Sequence, residues 1–419
     1  MKIFKFGGAS VKDGNGVKNV INVLQKAGAS DMVIVVSAMG KTTNALELVV
    51  DFYLQKNPKL KVAIDDVKDY HLQILDSLFL NRQHRVFRKI DSLLSDMETT
   101  LERNKSTQYD YLYDQIVCYG ELISTTIISE YLGTHGFKNK WLDAREIIKT
   151  NDTYRDAAVD WKLTQSKILE KVDKMGMTVT QGFIASNTNN FTTTLGREGS
   201  DYTAGILAYC MNAHSVSIWK DVPGVLNGDP RVFKHTELLT QISYEEAIEL
   251  AFYGASVIHP KTLQPLQRKG IPLYVKSFLD PEAKGTSVKK GQRLVPEIPC
   301  FIVKKNQVLV SLSSLDFSFI VEDNISEIFK LFHKYQLKVD LIQNSAISFS
   351  VCLDNKFNTF EELLKCLKAT FSVSYEKNVS LFTIRHYTKE AIRFIETDKD
   401  ILLKQSTKET YQIVVKQQD

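Results

Sequence analysis

The chain has 419 residues, of which 43% are hydrophobic and 24% are charged, and its net charge is +4. This length exceeds the usual size of one hydrophobic core, so two or more domains are expected, and the small, dispersed charge does not indicate nucleic-acid binding. The five cysteines are widely spaced and include no C-x-x-C pair, so neither a disulfide framework nor a zinc site is expected.

The first elements alternate between strand and helix. Residues 3–6 form a short apolar strand that ends at a pair of glycines, and apolar residues between positions 17 and 24 then recur at helical spacing. Residues 32–36 are a continuous apolar run, as is typical of buried parallel strands, and another helix is predicted from Asn44. This order predicts a parallel sheet covered by helices.

The middle of the chain continues this pattern around a helical insertion. Residues from about 58 to 115 have mixed charge and few β-branched runs, so we predict helices there. Further strands are predicted near Leu142, at 178–181 and at 215–219, and residues 187–190 have the composition of a hairpin tip.

The pattern changes near Pro296. Beyond it, short strands and helices follow each other at closer spacing, which predicts small α+β modules, repeated, in strand–helix–strand–strand order. We therefore place a domain boundary between residues 1–296 and 297–419.

The first segment that can carry chemistry is Lys5-Phe6-Gly7-Gly8-Ala9-Ser10. Glycines let a backbone approach a phosphate closely, and a following helix start offers unpaired N–H groups and a partial positive charge. Lys5 would add a full charge to neutralise phosphoryl oxygens. Taken alone, the segment is more often a tight strand-to-helix turn with a surface lysine.

A second candidate phosphate loop is rejected. Gly40-Lys41-Thr42 resembles the end of a Walker A loop, but that loop requires a glycine where this chain has Val35.

A dense polar segment lies at residues 195–204. Two glycines flank Arg197, whose guanidinium suits a carboxylate, and Ser200 or Asp201 is predicted to cap a helix that continues through Leu207. The alternative is a capped surface helix with no binding role.

The third segment joins Lys220 and Asp221 to a Pro-Gly turn and then to a second turn that carries Arg231. In open α/β sheets, ligands gather beyond the carboxyl ends of the strands, so a strand followed by such turns is a candidate binding edge. Each piece alone could equally be a turn and nothing more.

These segments, in this order, resemble the amino-acid kinase family and within it the aspartate kinases. K-F-G-G-[TA]-S, G-R-x-G-S-D-Y-T-A and D-V-P-G followed by D-P-R are that group's motifs. Residues 119–124 look like its G-E-x-x-S helix start, and residues 253–260 look like its [FY]-G-A-x-V-[IL]-H-P segment. The resemblance spans about residues 1–290, and the part from 297 onward resembles tandem ACT domains in outline.

The resemblance implies a fold and an activity. The fold would be an amino-acid-kinase-type α/β/α sandwich with a mainly parallel sheet, followed by small α+β modules of the ACT-like, ferredoxin-like kind. Residues 1–296 would be catalytic, with the nucleotide-binding part at about 196–290, and residues 297–419 would be regulatory. The activity would be transfer of the ATP γ-phosphate to the β-carboxylate of L-aspartate, the first step of lysine, threonine and methionine biosynthesis.

The resemblance also implies roles for individual residues. Lys5 would contact the transferred phosphate, and Asp201 would hold its ammonium group in place. Aspartate would be bound by Thr43, Glu121, Arg197 and Ser200. The nucleotide would be bound by Lys5, Gly7, Gly8, Lys220, Asp221, Leu226, Arg231 and Ser256.

Three positions depart from the family's commoner pattern. Glu198 replaces a glycine and adds a negative charge beside an expected anion site. Leu226 stands where an aromatic residue often lies along the nucleotide, and Ser256 stands where a lysine or arginine is frequent.

The implied chemistry needs no catalytic histidine or protein-bound metal. A carboxylate nucleophile is already ionised at pH 7, so catalysis reduces to aligning two anions and neutralising their charge. Mg²⁺ is expected to bind mainly to the ATP oxygens, and we expect no metal site made of protein ligands. His259, before Pro260, is interpreted as structural.

Two alternatives remain open. One is another amino-acid kinase, such as a glutamate 5-kinase or a uridylate kinase, which would not combine these motifs with an ACT-like tail. The other is an inactive relative that senses amino acids. The presence of Lys5, Arg197 and Asp201 together argues against an inactive protein.

The expected partners are L-aspartate and ATP, with no nucleic acid and no membrane. Because ACT-type modules usually pair through their sheets, the resemblance implies a homodimer joined through the ACT-like region. A cytoplasmic location is expected, because no signal-peptide pattern or membrane-length apolar run occurs. Asp340 and Asn344 lie in a segment similar to the effector-binding strand of related ACT domains. However, residues 313–319 lack a small glycine-containing turn and residues 384–388 replace a glycine loop, so weak or absent feedback by lysine or threonine is expected.

Overall fold

The computed structural model describes residues 1–28, 31–255, 258–316 and 318–416. Contacts between Cα atoms divide the chain into two units. The first unit contains Met1–Val225, Leu238–Ile248 and Val257–Pro296, and the second contains Leu226–Glu237, Glu249–Ser256 and Glu297–Asp419.

The first unit is built on one eight-stranded sheet. The strands up to residue 296 are β1 (Lys2–Phe6), β2 (Met32–Val36), β3 (Asn139–Leu142), β4 (Met177–Gln181), β5 (Ile184–Ser186), β6 (Thr192–Thr194), β7 (Ser215–Lys220), β8 (Val225–Leu226), β9 (Leu238–Leu239), β10 (Gln241–Ser243), β11 (Leu273–Ser277) and β12 (Thr286–Lys289). The sheet order is β10-β12-β11-β7-β1-β2-β4-β3. All neighbours are parallel except β11 and β12. This confirms the predicted parallel sheet.

Ten helices lie between these strands in chain order, in the described part of the chain up to residue 296. They are α1 (Gly14–Ala27), α2 (Thr42–Leu54), α3 (Leu60–Leu78), α4 (Arg85–Arg103), α5 (Tyr109–Thr134), α6 (Ala144–Ile147), α7 (Trp161–Lys171), α8 (Gly199–Met211), α9 (Tyr244–Tyr253) and α10 (Pro260–Lys269). The first begins at Asp13, whose side chain accepts a hydrogen bond from the Gly16 N–H at 2.8 Å, and its periodic apolar residues are buried as expected.

The predicted helical region at about residues 58–115 consists of α3, α4 and the start of α5. The segment 119–124, which was expected to begin a helix, lies instead in the middle of the 26-residue α5. That expectation was wrong, because buried residues such as Leu112, Ile116 and Val117 already follow helical spacing before it.

The predicted hairpin tip is confirmed. Strands β5 and β6 pair antiparallel, and the Asn187 side chain accepts hydrogen bonds from the N–H groups of Asn189 and Phe191 in the turn between them.

Four central strands end at the same edge of the sheet. Phe6 at the end of β1 lies opposite Val36 in β2 and Trp219 in β7, and Val36 lies opposite Gln181 in β4. Because these strands are parallel, the loops that follow them meet at one edge, where ligands bind in open α/β sheets.

The second unit contains one antiparallel sheet. Its elements after residue 296 are β13 (Cys300–Ser314), α11 (Glu322–Lys334), β14 (Lys338–Asn344), β15 (Ser348–Asp354), α12 (Phe360–Thr370), β16 (Phe371–Arg385), α13 (Lys389–Glu396), β17 (Ile401–Ser406) and β18 (Thr410–Lys416). The order is β14-β15-β13-β16-β18-β17. The predicted strand–helix–strand–strand order occurs twice, as β13-α11-β14-β15 and as β16-α13-β17-β18.

Each half of this sheet has its own apolar core. One core includes Val310, Phe332 and Phe360, and the other includes Ile384 and Ile413. The fold class predicted from the sequence, a mainly parallel α/β domain followed by small α+β modules, is therefore confirmed. Within the described part of the chain, no helix has the length and apolar character needed to span a bilayer.

Candidate active site

Two lysines share one buried carboxylate at the edge where the central strands end. Lys5 Nζ lies 2.7 Å from Asp201 Oδ1, and Lys220 Nζ lies 3.2 Å from Asp201 Oδ2. The side chain of Asp201 is only 2% exposed. Burial alone would raise the pKa of Asp201, but the two ammonium groups outweigh it and hold this pKa below its ordinary value. The carboxylate is therefore ionised at neutral pH. We call these three residues the Lys5–Asp201–Lys220 cluster.

The strand geometry explains why Lys5 faces this cluster. Side chains alternate between the two faces of a strand, and Phe4 and Phe6 pack their rings against Trp219 with centroid distances of 5.6 and 6.4 Å. Lys5 therefore points to the opposite face, where it pairs with Asp201 in the first turn of α8.

The glycine loop after β1 lies close beside Lys5. A Cβ atom on Gly7 would lie 3.5 Å from Lys5 Nζ, and one on Gly8 would lie 2.6 Å from the carbonyl oxygen of Ala38. The second distance is too short for any side chain, so only glycine fits at position 8. The backbone N–H groups of Gly7 and Gly8 donate no hydrogen bond to another described residue. These groups are thus available to an anion.

Glu121 lies in α5 beside the loop that follows β2. It is 2% exposed, and its Oε1 accepts a hydrogen bond of 3.3 Å from the Ala38 N–H. Its Oε2 is buried and has no hydrogen-bond partner among the described residues. Burial raises the pKa of Glu121 to about 8, against the smaller lowering effect of the Ala38 hydrogen bond. A buried carboxylate of this kind is suited to receive a cationic group.

The residues expected to bind aspartate differ in exposure. Thr43 is half-buried in the first turn of α2, and Ser200 is buried in the first turn of α8. Arg197 is exposed and forms no ion pair with any residue in the described ranges. Its guanidinium is therefore open to a ligand.

The predicted helix cap at Ser200 or Asp201 is wrong. The helix α8 begins at Gly199, and its N-cap is Glu198, whose φ of 54° lies in the left-handed region. Because the helix begins earlier, Ser200 and Asp201 occupy its first turn, and Asp201 is placed to pair with Lys5.

Two residues that shape this region, Gly182 and Asp114, were not predicted from the sequence. A Cβ atom on Gly182 would lie 2.4 Å from the Cβ of Ser200, so this glycine allows α8 to approach the end of β4. Asp114, buried in α5, accepts hydrogen bonds from the N–H groups of Arg155 and Thr194. Two sequence features could have identified these residues. Gly182 directly follows a predicted strand, and Asp114 is an acidic residue among the apolar residues of a helix.

The residues expected around the nucleotide fall in both units. Lys220 and Asp221 belong to the first unit, where Asp221 is exposed, and the turn that follows closes on Gly224 at a φ of 153°. Leu226 and Arg231 belong to the second unit, and Arg231 forms a bidentate ion pair with Asp229 at 3.0 and 2.7 Å.

Ser256, the remaining expected nucleotide contact, lies outside the described residues. Among the described residues, no group of three or more His, Cys, Asp or Glu side chains is arranged to hold a metal ion.

Comparison with known proteins connects this geometry to a family. The model of the Amino acid kinase family matches residues 1–277. Lysine-sensitive aspartokinase 3 of Escherichia coli is 32% identical over 394 residues, which cover 91% of this chain and 86% of the relative. Aspartokinase 1, chloroplastic, of Arabidopsis thaliana is 30% identical, with 84% of this chain and 63% of the relative covered.

Solved structures give the same result. The structure of E. coli aspartokinase III with aspartate and ADP, in the R-state, aligns with a TM-score of 0.83 and 28% identity, covering 99% of this chain and 96% of that one. The structure of the same enzyme with lysine and aspartate, in the T-state, aligns with a TM-score of 0.81 and 29% identity over the same shares. Together with the motifs and the fold, these matches confirm the resemblance seen in the sequence: the chain belongs to the amino acid kinase family and, within it, to the aspartokinases.

Proposed function

We propose that this chain transfers the γ-phosphate of ATP to the β-carboxylate of L-aspartate, giving 4-phospho-L-aspartate for lysine, threonine and methionine biosynthesis. The observation that carries the proposal is the Lys5–Asp201–Lys220 cluster beside the glycine loop. Two cations held at a strand edge next to free backbone N–H groups form a site for phosphate oxygens.

Phosphoryl transfer to a carboxylate mainly requires positioning and charge neutralisation. In this proposal, Lys5 neutralises the transferred phosphoryl group, because its ammonium is buried next to Gly7. Asp201 keeps that ammonium in place and charged, since its carboxylate is ionised and nearly inaccessible to water. The attacking carboxylate needs no base because it is ionised at neutral pH.

The aspartate site follows from charge complementarity. Burial favours the protonated form of Glu121 in the absence of substrate, and the substrate ammonium would replace that proton beside its buried, unpartnered oxygen. Arg197 offers its exposed guanidinium fork to a substrate carboxylate. Thr43 and Ser200 complete the site with hydroxyl groups.

The nucleotide would bind with its phosphates at Gly7, Gly8, Lys5 and Lys220. Asp221, next to Lys220, would contact the rest of the nucleotide, and the roles that the resemblance implies for Leu226, Arg231 and Ser256 stay predictions. Mg²⁺ would be held chiefly by nucleotide oxygens and water, the mode that this ion prefers where proteins supply few carboxylates. Its chemistry there would be to draw charge from the phosphate oxygens.

We extend the proposal to domain roles and assembly. Residues 1–296 would be catalytic, with the helical insertion at about 58–115 and the nucleotide part at 196–290, and residues 297–419 would be an ACT-like regulatory region. A homodimer would form through that region, in the cytoplasm. Light scattering on the eluting protein would give twice the chain mass, and loss of residues 297–419 would give a monomer.

The experiment that tests the function measures ADP release and acyl-phosphate formation together. The purified protein is incubated with Mg-ATP, aspartate and hydroxylamine, which traps an acyl phosphate as its hydroxamate. Equal amounts of ADP and aspartyl hydroxamate are expected. No hydroxamate with aspartate, but turnover with glutamate or uridylate, would identify another amino-acid kinase, and no turnover at all would identify an inactive relative.

A further inference from the structure

Glu198 occupies a backbone position that glycine adopts more easily. Its φ is 54° and its ψ is 29°, and its carbonyl oxygen accepts the first hydrogen bonds of α8 from the N–H groups of Asp201 and Tyr202, at 3.0 and 3.1 Å. Left-handed backbone is uncommon for residues with a Cβ atom. A glutamate at this place therefore keeps an acidic side chain at the N-terminus of α8 at some conformational cost.

The surroundings of the Glu198 carboxyl are charged. Lys220 of β7, Asp201 of α8, Lys5 of β1 and the neighbouring Arg197 all act on it electrostatically. Its Oε2 is buried and has no hydrogen-bond partner among the described residues. Burial raises the pKa of Glu198, with the ammonium of Lys220 acting against this and the carboxylate of Asp201 adding to it.

Before any ligand binds, the two acids Asp201 and Glu198 already offset positive charge from Lys5, Lys220 and Arg197. Phosphate groups arriving at Lys5 and Lys220 bring additional negative charge, which favours the neutral form of a nearby acid. Asp201 is held ionised by its two short ion pairs. Glu198, with an unpartnered buried oxygen, is the acid whose ionisation the phosphates oppose most effectively.

We propose that Glu198 takes up one proton from solvent when the nucleotide phosphates bind beside Lys5 and Lys220, so that nucleotide affinity falls as pH rises. This inference rests on the proposed function. The protonated carboxyl group presents an O–H donor from its buried side to a phosphate oxygen or a neighbouring acceptor. Glu198 is thus a positioning residue that links nucleotide binding to pH.

The test is isothermal titration calorimetry of the full chain with Mg-ADP, which binds without turnover. Titrations in two buffers with different heats of ionisation give the number of protons taken up, and the dissociation constant is measured between pH 6 and 8. Wild type, Glu198→Gln, Glu198→Gly and Glu170→Gln are compared. Glu170 is a matched control, because it is an exposed glutamate of the same unit, paired with Lys167.

Wild type and Glu170→Gln are expected to take up more protons than the two Glu198 variants. Their affinity should fall with pH by up to about tenfold per unit, the limit for one linked proton. Glu198→Gln and Glu198→Gly should show a flatter profile. The glycine variant suits the left-handed backbone, so it tests the proposal even if the amide disturbs folding.

The role of Glu198 and the proposed function can be contradicted separately. Proton uptake and pH profiles that are identical in wild type and both Glu198 variants would overturn the role of Glu198 while leaving the proposed function intact. A folded wild-type protein that binds no Mg-ADP would contradict the proposed function itself.

Discussion

Asp201 holds Lys5 and Lys220 in place through its side-chain carboxylate. Burying a charge is costly unless it is paired, and here one nearly inaccessible carboxylate pairs with Lys5 and Lys220 at once. Removal of one lysine leaves the other in place, so the carboxylate keeps a partner. A substitution at Lys5 is therefore expected to affect catalysis more than folding.

Lys5→Met should abolish most turnover. The methionine keeps the apolar length of the side chain but removes the charge that neutralises the transferred phosphoryl group. Stabilisation of this kind is worth about 3–4 kcal/mol, which is a loss of about 10²–10³-fold in kcat. The measurement is steady-state kcat, with thermal unfolding recorded on the same sample.

Lys2→Met is the matched control for this variant, since Lys2 lies in the same strand and is exposed. It should retain wild-type turnover. If Lys5→Met retains turnover within about threefold of wild type, far from the expected loss, Lys5 has been given the wrong role.

Arg197→Ala should raise the KM for aspartate and leave the KM for ATP nearly unchanged. The reason is that a bidentate contact between a guanidinium and a carboxylate is lost, at about 1.5–3 kcal/mol. Arg88→Ala, which removes an exposed arginine from α4, serves as the control and should change neither value. A defect confined to ATP would place Arg197 in the nucleotide site instead.

The candidate site shows how far residue-level reasoning from sequence extends. Lys5 and Arg197 were singled out because a cation next to glycines and a helix start predicts anion binding, and Asp201 because it was a candidate helix cap. The pairing of Lys5 with Asp201 across 196 positions came only from the resemblance, because it depends on which strands are neighbours. The unpartnered oxygen of Glu121 had no sequence signal, since burial of one atom is decided by packing.

At the scale of elements, α5 carries two glutamates with opposite behaviour. Glu121 is buried, and this raises its pKa from 4.5 to about 8. Glu130 is also desolvated, but Lys89 and Arg85 outweigh that effect and hold its pKa below the ordinary value. The same helix thus contains an acid that prefers to be neutral and an acid that prefers to be ionised.

This difference predicts a pH dependence of stability. Between pH 4.5 and about 8 the folded protein holds a proton on Glu121 that the unfolded chain releases, so the free energy of unfolding falls as pH rises through this window. The limiting slope is about 1.4 kcal/mol per pH unit for one proton. Glu121→Gln should flatten the slope between pH 5 and 8, measured by urea unfolding without substrate.

Glu130→Gln is the control on the same helix. Because the pKa of Glu130 is lowered, its contribution is present above its unfolded pKa and is lost only as the pH falls below that range. It should leave the slope between pH 5 and 8 as in wild type. Equal slopes for wild type and Glu121→Gln would show that Glu121 titrates normally in the folded state.

Elements with strong periodicity were predictable, and their boundaries were less so. The apolar run of β2 predicted a buried parallel strand, because a strand covered on both faces has no polar alternation. The start of α8 was misplaced because a non-glycine residue in left-handed backbone at position 198 has no clear sequence signal. The helix start expected at residues 119–124 was wrong, because a family motif, rather than helical spacing, was used to place that boundary.

At the scale of the whole molecule, the second unit bears on regulation. Asp340 in β14 was a candidate for binding the ammonium group of an amino-acid effector. Its side chain is 1% exposed, and its Oδ1 lies 2.7 Å from Lys304 Nζ and 3.3 Å from Lys338 Nζ. Lys304 also donates a hydrogen bond of 3.2 Å to the carbonyl oxygen of Phe252. Two lysines thus already pair with Oδ1 of this carboxylate, whereas its buried Oδ2 has no hydrogen-bond partner among the described residues.

Feedback by lysine or threonine should therefore be weak or absent. An effector ammonium at Asp340 would have to approach the positive charges of Lys304 and Lys338, which already pair with this carboxylate and would repel it. The measurement is a titration of activity with each amino acid, alone and together, up to millimolar concentration, with glycine as the control ligand. Strong inhibition by micromolar lysine would show that another arrangement of residues builds the effector pocket.

The proposed phosphoryl transfer to aspartate is tested by turnover with aspartate, followed by both ADP release and hydroxamate formation. Wild type should produce both in equal amounts and only when Mg-ATP and aspartate are present, and Lys5→Met should produce neither at a comparable rate. Release of ADP without hydroxamate, or equal turnover by Lys5→Met, would contradict the assignment of the Lys5–Asp201–Lys220 cluster as the site of phosphoryl transfer to aspartate.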